Sequence, residues 1–320
     1  MTSRPVRVLD VVLDRTVVPG YSKIGYLLRR RSWRADDPAP GSMRGKRVVV
    51  TGASSGLGLA TATGLARLGA EVHLVVRNLD KGRDAVADLR DEVPGAAALL
   101  HRCDLSDLDD VRALADELGG TGPIDVLVHN AGTMPPTREE TPDGHELALA
   151  THVLAPVLLS ELLRPALAAA GSSRVVVVSS GGMYAQKLPA DDPEFRRGKY
   201  GGTSAYARTK RMQVALTPLL QERWAGDGIA VHVMHPGWAD TPGVVTSLPG
   251  FHKVMGPLLR NAEQGADTVV WLAATEPAPP GGRFWHDRAT RPEHYLPSTR
   301  ESAADRTQLL DYVLDALSLP

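Results

Sequence analysis

Short, continuous apolar segments recur along most of the chain and alternate with longer stretches of helical composition. Strands are predicted where these segments are rich in β-branched or aliphatic residues, at residues 48–50, 71–76, 97–100, 124–128, 175–178 and 229–234. Continuous rather than alternating apolar strands are typical of a parallel sheet that helices cover on both faces. The pattern from Arg47 onward therefore predicts an α/β fold of the Rossmann type, a doubly wound parallel sheet in a single domain.

The first 43 residues follow a different pattern. A patchy apolar segment at residues 6–18 precedes a Pro19-Gly20 turn, and a second apolar segment at residues 21–28 leads into four arginines, at positions 29, 30, 31 and 34. The prolines and glycine at residues 38–41 indicate a linker. We therefore predict an N-terminal extension and linker at residues 1–43 and the Rossmann domain at residues 44–320.

Composition excludes several classes of function. The chain has 36 Lys plus Arg against 37 Asp plus Glu, so no net positive field favours binding to nucleic acid. Cys103 is the only cysteine, which excludes an intramolecular disulfide and a zinc site built on paired thiolates, and we predict no metal. Since no stretch approaches about 18 unbroken apolar residues, we expect a cytoplasmic protein that is neither membrane-spanning nor exported.

A glycine-rich turn follows the first predicted strand and opens the first predicted helix. Its residues are Thr51, Gly52, Ala53, Ser54, Ser55, Gly56, Leu57 and Gly58. Gly52 permits a tight turn, Gly56 lets the backbone approach a pyrophosphate, and Gly58 lets the helix pack closely on the strand. The helix N-terminus then offers free N–H groups to phosphates. A bare strand-to-helix turn rarely needs three such glycines, so we interpret the turn as a dinucleotide-binding site.

Further motifs follow this turn in a fixed order. They are Asp104-Leu105, Asn130-Ala131-Gly132, Ser179-Ser180, Tyr206-x-x-x-Lys210 and Pro236-Gly237. Together with the turn, they resemble the short-chain dehydrogenase/reductase family over about residues 46–287. Among family members, the segments that start at Ser180 and His235 look closest to the member-twelve branch of the dehydrogenase/reductase group.

The resemblance implies an NAD(P)-dependent oxidoreductase and assigns roles to several residues. Asp104, with Leu105, would contact the adenine, and residues 130–132 would close the cofactor cleft. Residues 235–241, which include Pro236, Gly237 and Thr241, would lie beside the nicotinamide amide. Related enzymes commonly pair through the helices that carry Glu161 and Tyr206, so the resemblance also allows a homodimer.

Tyr206 and Lys210 are expected to be the chemical centre. They are four residues apart in a stretch of helical composition, so they share one helix face. A phenol has a pKa near 10, too high for an efficient base at neutral pH, but a neighbouring ammonium can stabilise the phenolate and also reach the ribose hydroxyls of the cofactor. Ser180 can donate a hydrogen bond to the substrate oxygen where charge develops. These residues predict hydride transfer between nicotinamide and a small-molecule alcohol or carbonyl substrate.

His152 departs from the family pattern. It occupies the position of an Asn whose main-chain carbonyl usually completes a proton relay, and Pro156, four residues later, has no N–H to donate to that carbonyl. We expect a kinked helix, a carbonyl left free for water and a preserved relay. Two alternatives are an imidazole that shuttles protons itself and a histidine with no catalytic role. The departure also leaves open a redox-inactive dinucleotide-binding protein that acts as a sensor or scaffold.

An insertion lengthens the segment between Ser180 and Tyr206 to 26 positions. It contains Tyr184, Leu188, Phe195 and Tyr200 among Pro, Asp and Gly residues. We expect either a lid over an apolar substrate or a surface excursion.

Cofactor choice depends on the end of the second strand, where NAD-dependent proteins place a carboxylate. Arg77 occupies this region, and a guanidinium can bind a 2′-phosphate bidentately. We therefore predict NADP, with NAD as the alternative. Residues 1–34 resemble a basic interfacial segment that could contact a membrane surface or a partner, although such arms more often pack on their own domain.

Overall fold

The computed structural model describes residues 4–240, 250, 253 and 255–320, and its centre is an eight-stranded sheet. The strand order is β3-β2-β1-β4-β5-β6-β7-β8, and every neighbouring pair is parallel except the antiparallel pair β7–β8. The strands are β1 (Arg47–Thr51), β2 (Glu71–Val76), β3 (Ala98–Arg102), β4 (Val126–His129), β5 (Ser173–Val178), β6 (Ile229–Met234), β7 (Arg283–His286) and β8 (Ala289–Thr290).

Helices cover both faces of the sheet. In chain order they are α1 (Arg4–Arg15), α2 (Val17–Tyr21), α3 (Lys23–Arg30), α4 (Gly56–Arg67), α5 (Leu79–Glu92), α6 (Leu108–Gly119), α7 (Leu147–Leu149), a π turn (Ala150–Leu154), α8 (Ala155–Ala169), α9 (Gly202–Trp224), α10 (Ala262–Ala274) and α11 (Ala303–Ala316). One face carries α4, α5 and α10, and the other carries α6, α8 and α9, with α11 packed outside α9.

The apolar strands explain this layering. Val48, Val49 and Val50 are all fully buried; Val49 belongs to the core on one face of β1, whereas its two neighbours belong to the core on the other. Side chains alternate across a strand, so only a continuous apolar run can fill two cores. The predicted doubly wound parallel sheet is thus confirmed, and the sequence pattern missed only the short strands β7 and β8.

The helix α7, the π turn and α8 form one continuous helical stretch, Leu147–Ala169. Among the described residues it is the one stretch long and apolar enough to cross a membrane. Its most apolar window is 72% buried in the protein. Its hydropathy therefore reflects its place in the core beside α6 and α9.

The N-terminal extension packs on the Rossmann domain through buried charges. The Arg29 guanidinium donates to Asp10 at 2.7 Å and to Asp287, just after β7, also at 2.7 Å. Asp287 accepts two further bonds from Arg260, at 2.6 and 2.9 Å. Because both arginines and Asp287 are almost wholly buried, these contacts join α1 and α3 firmly to the segment after β7.

Candidate active site

A cleft of about 800 Å³ opens at the carboxyl ends of the strands, where the order reverses between β1 and β4. Ligands of open α/β sheets bind at this switch point. Most of the residues that the sequence predicts for the site line this one cleft: Gly52, Ser54, Ser55, Gly56, Leu57, Gly58, Arg77, Asp104, Leu105, Asn130, Ala131, Gly132, Ser180, Tyr206, Lys210, Pro236 and Gly237. Thr241 lies outside the described residues, and His152 is placed behind the cleft wall.

The glycine turn forms a cradle that side chains would fill. Gly52 and Gly56 have positive φ angles of 65° and 57°, a backbone region that favours glycine. A Cβ on Gly52 would lie 2.7 Å from the Cα of Ala131, and one on Gly58 would lie 2.2 Å from the carbonyl oxygen of Gly52. Glycine is therefore required here for the close approach of α4 to the ends of β1 and β4.

The donors in this cradle fit a dinucleotide. Helix α4 begins at Gly56, and its N-cap Ser55 makes no side-chain hydrogen bond to the first turn, which leaves main-chain N–H groups available for a pyrophosphate. Thr51, for which the sequence predicted no role beyond its place in the turn, ties the two strand ends together. Its hydroxyl accepts from the N–H groups of Asn130 and Ala131 at 3.1 and 3.2 Å. The Asn130 side chain donates back to the Thr51 carbonyl at 3.0 Å.

Ser180, Tyr206 and Lys210 meet on one wall of the cleft. Ser180 follows β5, and α9 carries Tyr206 and Lys210 one turn apart. The Lys210 ammonium lies 5.4 Å from the centre of the Tyr206 ring and donates to the Val178 carbonyl at 2.8 Å. The Ser180 hydroxyl accepts from the Gly182 N–H at 3.2 Å and lies near enough to the Tyr206 hydroxyl to influence its pKa. Ser180 and Tyr206 can therefore face one substrate oxygen, with Lys210 beside the tyrosine ring.

Burial sets the protonation of this group. Removal from water raises the pKa of the Tyr206 phenol above its usual value, and the hydrogen bond from Ser180 opposes that rise. Burial lowers the pKa of Lys210 to about 7, because the charged ammonium loses hydration. Burial therefore favours the protonated phenol of Tyr206 and weakens the hold of Lys210 on its proton.

The His152 imidazole is a fixed structural group. Its Nε2 accepts from the N–H of Thr133 at 2.9 Å, so Nδ1 carries the proton and donates to the Thr209 hydroxyl at 2.7 Å. Burial and the nearby Lys210 lower its pKa well below the usual 6.5. The imidazole stays neutral with both nitrogens engaged, which argues against the alternative of a proton-shuttling histidine.

The expectation that the carbonyl of His152 is free for water is wrong. The chain does deviate from α-helical geometry before Pro156, as a π turn rather than a simple kink. The Gln213 carboxamide, however, donates to this carbonyl at 2.7 Å. Gln213 lies on α9, more than sixty residues away in sequence, and the local pattern around residue 152 could not reveal it.

The insertion after Ser180 is held in place by buried contacts. Glu194 accepts from the Tyr312 hydroxyl and from His145 Nδ1 and Glu146 N–H, both at 2.7 Å, and the Tyr200 hydroxyl donates to Glu146 at 2.8 Å. None of the four apolar or aromatic residues that the sequence analysis named in this segment is among the described residues that line the cleft. Between Ser180 and Tyr206 the described residues that line the cleft are Gly181, Gly182 and Thr203.

One cluster of potential metal ligands occurs among the described residues, formed by Glu293, His294 and Glu301. The Arg211 guanidinium fills it, with bonds of 2.6 Å to each carboxylate oxygen of Glu301 and 2.7 Å to His294. The cluster therefore forms a salt-bridge network around a cation that the protein itself provides.

The fold and the site together define a class of protein. The sheet order, the glycine cradle at the switch point and the Ser, Tyr and Lys side chains on one wall of the cleft are those of a nicotinamide-dependent oxidoreductase. The family model for short chain dehydrogenases matches residues 46–249. The chain belongs to the short-chain dehydrogenase/reductase family.

Individual relatives support the same assignment. The chain is 41% identical to Dehydrogenase/reductase SDR family member 12 of Bos taurus over 303 residues, which are 93% of this chain and 94% of that protein. The predicted resemblance to this branch is therefore confirmed. An uncharacterised protein from Mycobacterium paratuberculosis has a similar structure, with a TM-score of 0.69 and 29% identity over 86% of this chain and 94% of its own. A protein described as an NAD(P)-dependent gluconate 5-dehydrogenase from Beutenbergia cavernae, with NADP bound at low occupancy, has a TM-score of 0.61 and 29% identity over 74% of this chain and 92% of its own.

Proposed function

We propose that this protein is an NADP-preferring oxidoreductase that interconverts the alcohol and carbonyl forms of an apolar small molecule in the cytoplasm. The observation that carries the proposal is that Ser180, Tyr206 and Lys210 share one cleft with the glycine cradle. The homodimer stays part of the proposal, with the half-exposed Leu162 on α8 available for pairing.

The side chains divide the proton chemistry among them. A bound nicotinamide would supply or accept the hydride. In the reducing direction the Tyr206 hydroxyl donates its proton to the carbonyl oxygen of the substrate, and in the oxidising direction it accepts that proton back. The Ser180 hydroxyl hydrogen-bonds the same oxygen, and the Lys210 ammonium stabilises the phenolate that Tyr206 becomes.

An apolar substrate is inferred from the apolar side chains in the lining of the cleft. Met134, Leu147 and Trp238 line it, together with small residues such as Gly182 and Ala207. Such a surface would gain free energy by removing apolar substrate atoms from water. The experiment is NADPH oxidation with a panel of apolar ketones and aldehydes against polar sugars and hydroxy acids. NADPH binding without turnover of any carbonyl compound would favour the redox-inactive alternative instead.

The expected preference for NADP over NAD depends on Arg77. It is exposed at the end of β2, lines the cleft and has no ion-pair partner within the described part of the chain. We expect Arg77→Ala to weaken NADP binding by roughly one to two decades, because a charge-assisted hydrogen bond is worth about 1.5 to 3 kcal/mol, and to leave NAD binding almost unchanged. Calorimetric titration with NADP and with NAD measures both affinities.

The matched control is Arg83→Ala, because Arg83 is an exposed arginine on α5 outside the cleft lining. Equal losses for both cofactors would mean that Arg77 supports the fold rather than the phosphate.

A membrane surface is the partner that we propose for the N-terminal extension. Large apolar side chains are exposed on its helices at Val11, Val12, Val18, Ile24 and Leu27, with exposed Arg30 and Arg31 beside them. We expect the protein to sediment with vesicles that contain phosphatidylserine more than with pure phosphatidylcholine vesicles, and Ile24→Glu to reduce that binding several-fold. Leu296→Glu, an equally exposed leucine far along the chain, serves as the control. If Ile24→Glu left vesicle binding unchanged, this surface would be excluded as the membrane contact.

A further inference from the structure

Residue 152 is held from two sides by α9. Its imidazole donates to the Thr209 hydroxyl, which in turn donates to the main-chain carbonyl of Tyr206 at 2.8 Å. Its own carbonyl accepts from Gln213. Thr209 and Gln213 stand on either side of Lys210 along the helix, so both contacts act on the segment of α9 that carries Tyr206 and Lys210.

The Gln213 carboxamide can be oriented in only one way. The carbonyl of His152 is an acceptor, so the amide nitrogen must face it and the amide oxygen must point the other way. That oxygen is buried and has no hydrogen-bond partner among the described residues. It belongs to a side chain that lines an internal cavity of about 20 Å³ beneath the π turn.

A second unpartnered buried atom belongs to another residue that lines this cavity. His129 lines the cavity; its Nε2 pairs with the Ser160 hydroxyl at 2.8 Å, and its Nδ1 is unpartnered within the described residues. Burial lowers the pKa of His129 to about 3, so the ring is neutral. A cavity of this volume accommodates one water molecule, which needs a void of at least about 10 to 15 Å³ and polar partners.

We propose that Gln213 is a positioning residue for the catalytic pair, anchored at its far end by one water molecule that it shares with His129. The inference rests on the proposed oxidoreductase function. Gln213 supplies the hydrogen bond that Pro156 cannot, so the π turn and α9 keep a fixed spacing. The clamp formed by Thr209, residue 152 and Gln213 thereby fixes Tyr206 and Lys210 against the cleft.

Removal of the carboxamide tests the clamp. We expect Gln213→Leu to lower kcat roughly ten- to a hundredfold, because a small displacement of a catalytic group is costly, while the KM for NADPH changes less than threefold. Gln221→Leu is the matched control: Gln221 lies two turns further along α9 and also bridges main-chain groups, donating to Ile229 and accepting from Val231. It should lower the thermal midpoint but leave kcat unchanged. Equal kcat values for both variants would overturn the positioning role.

Gln213→Glu adds a pH readout. A protonated carboxyl can donate to the carbonyl of His152, whereas a carboxylate would repel it. We expect kcat of this variant to approach that of the parent protein at low pH and to fall as pH rises, with the thermal midpoint followed at each pH to separate unfolding from loss of turnover. A flat ratio to the parent across the pH range would contradict the clamp.

A high-resolution crystal structure tests the anchor directly. One water bonded to Gln213 Oε1 and His129 Nδ1 supports it, and a dry cavity overturns it. The two hypotheses can fail separately. If Tyr206→Phe lost turnover while Gln213→Leu kept it, the clamp would be excluded and the proposed oxidoreductase function would stand.

Discussion

Tyr206→Phe should lower kcat by roughly two to four decades, the usual contribution of a positioned acid or base. Phenylalanine keeps the shape of the ring but has no proton to exchange with the substrate oxygen. Because Tyr206 lies on α9 rather than in the glycine cradle, cofactor affinity should remain within about threefold. Stopped-flow measurement of NADPH oxidation with the best carbonyl substrate, alongside titration of NADPH binding, separates the two quantities.

The control for this variant is Tyr200→Phe. The Tyr200 hydroxyl donates to Glu146 outside the cleft lining, so the same change of atoms there should reduce stability and leave turnover intact. If Tyr206→Phe retained the turnover of the parent protein, the assignment of Tyr206 as the proton donor would be wrong. If both variants lost turnover together, the loss would reflect the fold rather than the chemistry.

Asp287→Asn should produce the largest change in stability. Asp287 accepts from Arg29 and twice from Arg260. Burial raises its carboxyl pKa, but the neighbouring His286 and the two guanidinium groups together lower it well below the usual value. Asparagine would remove the one carboxylate that the buried Arg260 contacts among the described residues, and one of the two that Arg29 contacts, at a cost of about 3 to 5 kcal/mol in the free energy of unfolding. Urea denaturation at pH 7 measures this. Since Arg260 also donates to the Pro236 carbonyl, beside the cleft, activity should fall in parallel.

The lowered pKa of Asp287 also predicts how the free energy of unfolding depends on pH. A carboxyl whose pKa is lowered by folding stabilises the protein above its unfolded pKa of about 3.9, and that stabilisation is lost as pH falls below it. The parent protein should therefore lose free energy of unfolding below about pH 4, and Asp287→Asn should lose less. Asp36→Asn is the control, because Asp36 pairs with Arg34 in an exposed ion pair and surface pairs contribute little. Equal effects of the two variants would show that the buried cluster adds no stability.

Local signals account for what the sequence predicted. The parallel sheet follows from continuous apolar runs, and the cleft follows from a glycine turn between a strand and a helix, each visible within about ten residues. The Tyr206 and Lys210 pair needed only helical spacing. By contrast, Arg283–His286 has no β-branched run, and β7 was missed because its burial comes from packing against β6 and neighbouring helices.

Partners distant in sequence account for what it did not predict. The carbonyl of His152 was expected to be free because Pro156, its neighbour one turn along the helix, has no N–H, while its partner Gln213 comes from α9. Arg29 belonged to a run of arginines that resembled a basic surface. Its neighbours Arg30 and Arg31 are exposed, but Arg29 itself points inward to Asp287, 258 positions later. A single sequence does not reveal which of several equivalent cations has a buried partner.

The contact between Arg29 and Asp287 also constrains the order of events during synthesis. The residues around Arg29 leave the ribosome well before β7. When they emerge, Asp287, their buried partner in the folded protein, has not yet been synthesised. Until then the side chains of this segment that the folded protein buries, such as Tyr26 and Arg29, remain exposed. Docking of α1 and α3 is thus a late step that waits for nearly the whole chain, and contacts of such long sequence separation form slowly.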